Sequence, residues 1–274
     1  MGGRLWFTLA QYGVASFVPG PMRLHDIRLH SIDAVNFPNQ LDVHVEDGRV
    51  FFSDSFARNV PEQTVMDTLI EVLFSGEKSG RLLAFDPSTN QTSVLLDGLA
   101  FANGVAISPD SSFVAVSETS EKKKNNIQQQ QQQQFLYRYH FNIVRARIWR
   151  VWLTGPNKGK SEIWVENLPG YPDNLHSDGK HVYVSLGLLR NSFSEFIYSN
   201  RWARTVLPRL PSPPIGADPG GFVRIDWNSN SFSTLYKIPN LPGSTSIIPH
   251  KDHVYITSYF VDGYISRIEK KHLK

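Results

Sequence analysis

Residues 101–110 read FANGVAISPD. Phe101 and Val105 carry apolar side chains, and Ser108-Pro109-Asp110 has turn chemistry. Between them sits Asn103, an amide at the head of an apolar run. The chain repeats the arrangement. Residues 37–43 read FPNQLDV and residues 171–177 read YPDNLHS. Aligning Phe37, Phe101 and Tyr171 puts Asn39, Asn103 and Asp173 in one register. An amide or a carboxylate recurring at one place ahead of a strand sets both the fold and the site.

Each of these starts is followed by a turn and a second apolar run. Asp47-Gly48 precedes VFFSDS (50–55), Pro109-Asp110 precedes FVAVSE (113–118), and Asp178-Gly179 precedes HVYVSL (181–186). A fourth copy, STSIIPH then HVYITSY, fills 244–259. Alternation and β-branched residues mark these as hairpins. Third strands follow at 80–86, 147–153, 221–227 and 263–269, and fourth strands at 92–98, 161–167 and 233–239. Asn39, Asn103 and Asp173 are spaced 64 and 70 apart. Removing the 24 residues 121–144 from the second interval leaves 46. Four-stranded units of about 40–50 residues are the period of β-propeller blades. The expected fold is all-β: a propeller over 37–270 with about four visible blades. Residues 1–36 show no clear blade and are expected to be a truncated blade or a leader.

The excursions between second and third strands differ in kind. In 61–74, Val65, Met66, Leu69, Ile70 and Leu73 fall at helical spacing. Aromatic residues recur in a similar way over 191–219. The segment 121–144 carries seven consecutive Gln, 128–134, and is expected to be a disordered loop.

Composition narrows the function classes. The chain has 274 residues, 41% hydrophobic, with a net charge of +3. That is a sizeable core with too little charge to argue for nucleic acid; Lys122-Lys123-Lys124 reads as a solvated loop. There is no cysteine, which excludes disulfides, thiolate-bound zinc and thiol nucleophiles. No run reaches the roughly 18 apolar residues of a membrane span. Asn90-Gln91-Thr92 is a glycosylation sequon in a turn, meaningful if the chain is secreted. Phosphate-loop, serine-elbow and HExxH motifs do not occur. His176 and His250 read as ordinary histidines near the pocket-side ends of strands.

The motifs VLLDGLAFANGVAISPD, SGRLLAFDP and GPNKGKSEIWVENLPGYPDN resemble the strictosidine synthase-like family, closest to its animal, membrane-associated branch. The resemblance runs from about Asn36 to Lys270. It implies a six-bladed β-propeller, here lacking one or two N-terminal blades. It also implies kinship with calcium-dependent hydrolases of esters and lactones, and a place in the secretory pathway or at a membrane, in the endoplasmic reticulum or at the cell surface. Family members carry an N-terminal anchor and a Gly-Pro-Glu motif, neither visible here. Thr245 stands where the plant synthase has its catalytic glutamate. A hydroxyl cannot shuttle the protons of that condensation near neutral pH, so the synthase reaction is not expected.

In a propeller the first strand of each blade lines the central tunnel. Asn39, Asn103 and Asp173 then point inward at one level, with Asn174 beside them. Such hard oxygen ligands suit calcium, and the related hydrolases use this register for calcium or substrate. Asp54 is a second-tier candidate for the same site; Glu118, in the equivalent strand, reads as structural. The competing reading is that the amides bond to adjacent blades and seal the tunnel. Two functions stay open: a calcium-assisted esterase or lactonase acting on a small molecule, and a non-catalytic propeller binding a small molecule or a protein.

Overall fold

The computed structural model describes residues 4–19, 27–31, 35–58, 65–122, 144–192, 194, 196, 200–206, 219–259 and 264–273. Among these, eighteen strands form five antiparallel sheets, each a meander in chain order. The first sheet holds β1 (Leu5–Leu9), β2 (Gly13–Phe17) and β3 (Arg28–Ser31). The second holds β4 (Pro38–Val43), β5 (Val50–Asp54), β6 (Gly80–Asp86) and β7 (Gln91–Leu99). The third holds β8 (Ala102–Ile107), β9 (Phe113–Lys122), β10 (Val144–Trp152) and β11 (Ser161–Val165). The fourth holds β12 (Gly170–Ser177), β13 (His181–Leu189), β14 (Pro219–Asp226) and β15 (Phe232–Pro242). The fifth holds β16 (Ser244–His250), β17 (His253–Ser258) and β18 (Ser266–Glu269). Two helices, α1 (Val65–Ser75) and α2 (Arg201–Val206), lie between second and third strands.

Strand alternation gives each sheet two apolar faces, so each sheet must be covered on both sides. The core therefore falls into slabs between successive sheets. Phe51, Leu82 and Ala84 of the second sheet meet Val114 and Val116 of the third. Ala115, Ile148 and Trp164 meet Val184, Val223 and Trp227 of the fourth. Trp164 and Trp227 stack at 5.2 Å with Phe113 edge-on to both. Tyr183 and Phe222 meet Ile247, Val254 and Ile256 of the fifth. Sheets stacked face to face around a row of inner strands, β4, β8, β12 and β16, make a propeller of five blades.

This corrects the count of four visible blades. Residues before 37 supply a blade of their own, packed through Trp6 and Val14 on Phe52 and Leu83. The sequence hid it because its β1–β2 turn carries no Asn-Gly or Asp-Gly signal; Gln11 takes the left-handed conformation, φ 67°. The six-bladed expectation is not met among the described residues.

The first blade also differs in composition. Ser53 in β5, Ser117 in β9 and Ser185 in β13 each donate to an inner-strand carbonyl of the next blade, at 2.5, 2.8 and 2.6 Å. Thr8 in β1 does the same to Asn39 at 2.8 Å. Thus β1 stands in the second-strand position, and no described strand fills the innermost position of that blade. In the third blade, β9 and β10 pair as a hairpin from Lys122↔Val144 inward. The Gln run lies outside the described residues.

Candidate functional site

Each inner strand carries a β-bulge at the same place. In the second blade, pairing shifts between Pro38 and Leu41, so Asn39 and Gln40 face Ser53 together. The shift recurs at Asn103-Gly104, at Asp173-Asn174 and around Thr245. A bulge inserts one residue and re-aims its side chain. That is why an amide opens an otherwise apolar strand: Asn39, Asn103, Asp173 and Thr245 are the inserted residues. Phe101, just ahead, adopts φ 63°. Its ring seats against Phe56 and Val72, which offsets the strain of that conformation.

The structure brings Asn103 and Asp173 into contact. Asp173 is half-buried and takes a hydrogen bond from Asn103; burial wins over that bond and pushes its carboxyl up to about 7. Asn103 is almost fully buried, and its Nδ2 also lies 3.4 Å from Thr119 Oγ1. Among the described residues, the Oδ1 atoms of Asn103 and Asn174 are buried and meet no hydrogen-bond partner. Buried orphan oxygens are uncommon and call for an explanation. Asn174 Nδ2 is used, donating to Ser246 at 2.8 Å. Asn39 Nδ2 donates to Ser55 at 3.3 Å. The Asp173 charge is felt at Tyr259, a largely exposed side chain whose phenol is pushed up to about 12 by partial burial first and that charge second.

Sealing falls to a residue that sequence reasoning passed over. Gln40 Oε1 accepts from Val105 N at 3.0 Å and Leu175 N at 2.8 Å, and its Nε2 donates to Leu175 O at 2.7 Å. One side chain thereby ties β4, β8 and β12 together across the tunnel. Gly104 makes the room: a Cβ there would lie 2.5 Å from Asp173 O and 2.6 Å from Leu175 N. Gln40 was legible as the neighbour of Asn39 and as the one long side chain at that bulge position.

Asp54 is placed elsewhere. Its Oδ1 accepts from Phe37 N at 2.7 Å and Asn36 N at 3.2 Å, and its Oδ2 pairs with Arg81 at 2.5 Å. Glu118 repeats the pattern one blade on, taking Ala100 N at 2.8 Å, Arg147 at 2.6 Å and Trp149 Nε1 at 2.7 Å. Both carboxylates lock the entry of an inner strand to its own blade, and Asp54 has no oxygen to spare for a ligand. The histidines also sit differently from expectation, at the opposite ends of their strands from the bulges. His176 is held neutral, its imidazole lowered to about 4 by burial. His250 is exposed at a tight turn.

The bulge end is the end that carries the helices. Leu69, Val72 and Leu73 of α1 pack on Phe37, Phe56 and Phe101. From the fourth blade, α2 reaches α1, with Ala203 fully buried and Trp202 exposed edge-on to Phe196 at 5.9 Å. Among the described residues no three of His, Asp and Glu gather as a metal cluster. An ion held here would rest on amide and carbonyl oxygens plus one carboxylate.

Residues 39–132 match the family model described as strictosidine synthase. The chain belongs to the strictosidine synthase-like family. It is 30% identical over 213 residues to the strictosidine synthase-like 13 protein of Arabidopsis thaliana, covering 77% of this chain and 45% of that one. It is 31% identical over 181 residues to the adipocyte plasma membrane-associated protein of Homo sapiens, covering 64% and 36%. The chain thus spans less than half the length of these curated relatives. Among solved structures it resembles a gluconolactonase from Xanthomonas campestris, with TM-score 0.54, 13% identity, and 93% of this chain on 65% of that one. It also resembles the calcium-binding protein regucalcin of Agrobacterium tumefaciens, with TM-score 0.54, 13% identity, and 94% on 66%. At that identity the likeness shows the propeller fold alone.

Proposed function

We propose that the tunnel site holds a calcium ion and serves hydrolysis of a small ester or lactone. The observation that carries this is the pair of buried amide oxygens, Asn103 Oδ1 and Asn174 Oδ1, that meet no hydrogen-bond partner among the described residues, beside the Asp173 carboxyl that burial raises. Calcium is the ion that takes such a set of hard oxygens. Asn39, Asn103, Asp173 and Asn174 would hold it. When bound, the ion polarises a carbonyl oxygen as a Lewis acid. The chain's own residues fix the approach: Gln40 closes one side, so a ligand enters past α1, α2 and Tyr259. The structural likeness to a gluconolactonase and to a calcium-binding propeller supports this reading as analogy alone. Thr245, bonded to Thr257 at 2.9 Å, offers no base, so condensation of the synthase type is not expected. An exposed Asn90 in a turn at φ 57° and the membrane-associated human relative support glycosylation and a place in the secretory pathway.

Four ligands with one formal charge make a weak site, and extracellular calcium modules already sit near 10⁻⁴–10⁻³ M. Binding on the order of 10⁻³ M is expected. Calorimetric titration with calcium chloride, followed by hydrolysis of phenyl acetate and a δ-lactone with and without EDTA, is the test. Calcium-dependent turnover supports the reading, and turnover indifferent to EDTA sinks it. The second reading, binding without catalysis, is favoured by the innermost position of the first blade, which no described strand fills. Calcium uptake with no turnover on either substrate would select it.

A further inference from the structure

The inserted residues of the bulges share one more feature. Each has its backbone carbonyl held by a hydroxyl from the preceding blade: Asn39 by Thr8 at 2.8 Å, Asn103 by Ser53 at 2.5 Å, Asp173 by Ser117 at 2.8 Å and Thr245 by Ser185 at 2.6 Å. Four bulges, four hydroxyls, and the receiving residue is always the one whose side chain the bulge turns inward. On the other side the same hydroxyls serve their own blade. Ser53 accepts from Gln40 N at 3.2 Å, Ser117 accepts from Gly104 N at 2.7 Å, and Ser185 lies 3.0 Å from Asn174 O. Ser53, Ser117 and Ser185 are completely buried.

A bulge leaves its extra peptide outside the ladder, so that peptide plane can turn. Turning it swings the Cα–Cβ bond of the inserted residue. A hydroxyl on the carbonyl stops the turn, and here the stop comes from the neighbouring blade. The inward side chains are therefore registered to one another, bulge to bulge, and not only to their own sheets. We infer that Ser53 and Ser117 are positioning residues for the tunnel site, setting the directions of the Asn103 and Asp173 side chains. The inference rests on the proposed calcium reading only for its affinity readout. The residue type is visible along the chain: the second strands read LWFT to Thr8, VFFS to Ser53, VAVS to Ser117, VYVS to Ser185 and VYIT to Thr257. Threonine at two of the five shows that the strand position accepts its extra methyl.

The test uses the full chain and calcium chloride. Ser53→Ala and Ser117→Ala should each weaken calcium binding about tenfold, the low end of what outer partners of metal ligands contribute. Ser53→Thr and Ser117→Thr should restore it to within about twofold, since they keep the hydroxyl. Ser16→Ala is the comparison: it removes an equally buried hydroxyl, bonded to His30 at 3.1 Å, and should lower Tm without touching affinity. A metal-free readout separates this inference from the calcium one. In Ser53→Ala the Asn103 side-chain amide signals in a ¹⁵N spectrum should shift or split, and Ser53→Thr should return them. If the wild-type chain takes up no calcium but those signals respond, the calcium reading falls and the positioning role stands. If Ser53→Ala and Ser117→Ala lower Tm like Ser16→Ala, and leave affinity and the Asn103 signals unchanged, the serines only staple blades and the inference is overturned.

Discussion

Glu118 and Asp173 stand on neighbouring blades, joined through Thr119, which donates from β9 to Pro172 O at 2.8 Å. Glu118 is fully buried and fully employed, with Arg147, Trp149 and a backbone N–H on its two oxygens. Asp173 is only half-buried, takes one bond from Asn103, and has its carboxyl pushed up to about 7. Asp54 with Arg81 is the second-blade copy of Glu118 with Arg147. In the fourth blade the same pairing position holds Leu186 opposite Gly221, with no charge at all. The difference teaches how to sort buried acids in this molecule. A carboxylate paired with arginine and backbone donors builds the blade; one left with a single amide partner is available to a ligand.

The largest expected effect breaks the employed side of that contrast. Removing one partner of a buried ion pair strands the other charge and costs about 3–5 kcal/mol. Glu118→Ala and Asp54→Ala should each lose stability on that scale in urea denaturation. Asp173→Ala should instead leave the fold intact and abolish calcium uptake in calorimetry. If Asp54→Ala kept wild-type stability and lost calcium, the sorting would be reversed.

Next comes the seal. Gln40→Leu keeps bulk and removes three hydrogen bonds, leaving Val105 N, Leu175 N and Leu175 O without that partner at a half-buried place in the tunnel. Buried groups stranded this way cost about 1–3 kcal/mol each, less where water reaches them. A total loss of about 2 kcal/mol is expected, with an unchanged denaturant slope. No loss at all would mean that Gln40 fills the tunnel without tying the blades.

Much of this is legible in the sequence. The register of Asn39, Asn103 and Asp173 marked three of the blades and the hairpin at 244–259 a fourth, because a bulge needs its odd residue at a fixed place and the strands on either side alternate. Spacing also found α1, since Leu69 and Leu73 recur with the helical turn. What stayed hidden lacked a local signal. The first blade turns through Gln11, a residue with no turn preference to announce it. The roles of Asp54 and Gln40 depend on partners 27 and 135 residues away, Arg81 and Leu175. No pattern within a strand reports those contacts, and a lone acid in a strand reads the same whether an arginine or a ligand waits across the sheet.

A smaller effect concerns protons at the available carboxyl. Calcium needs Asp173 ionised. With its carboxyl near 7, about a tenth is ionised at pH 6 and about nine-tenths at pH 8. Affinity should therefore rise about tenfold across that interval and then level off. Asp173→Asn should show weak binding that is flat in pH. A wild-type affinity flat between pH 6 and pH 8 would remove Asp173 from the ligand set.

The smallest effect is a gain. Burial raises the Asp173 carboxyl above its value in the unfolded chain, so the folded state holds that proton more tightly. The resulting stability is complete below the ordinary carboxylate range and is lost as pH rises through about 7. Above that point the folded chain carries an ionised, half-buried group whose main relief is one amide. Asp173→Asn removes the charge and keeps the shape. Asp173 is only half-buried, so solvent screening takes part of the penalty, and the expected gain at pH 8 without calcium is a Tm rise of about 2–4 °C, corresponding to roughly 1 kcal/mol in a chain of this size. At pH 5, part-way between the ordinary carboxylate range and about 7, the gain should be smaller, and below the ordinary carboxylate range the variant and the wild type should melt together. Calcium should then raise the wild-type Tm at pH 8 and leave the variant's almost unmoved, since the ion does for the carboxylate what the amide substitution does permanently. Glu118→Gln should move the other way at both pH values, because there the charge is what the arginine, the indole and the backbone are arranged to meet. A wild type that melts higher than Asp173→Asn at pH 8 without calcium would show that Asp173, like Glu118, is held by partners that favour its charge.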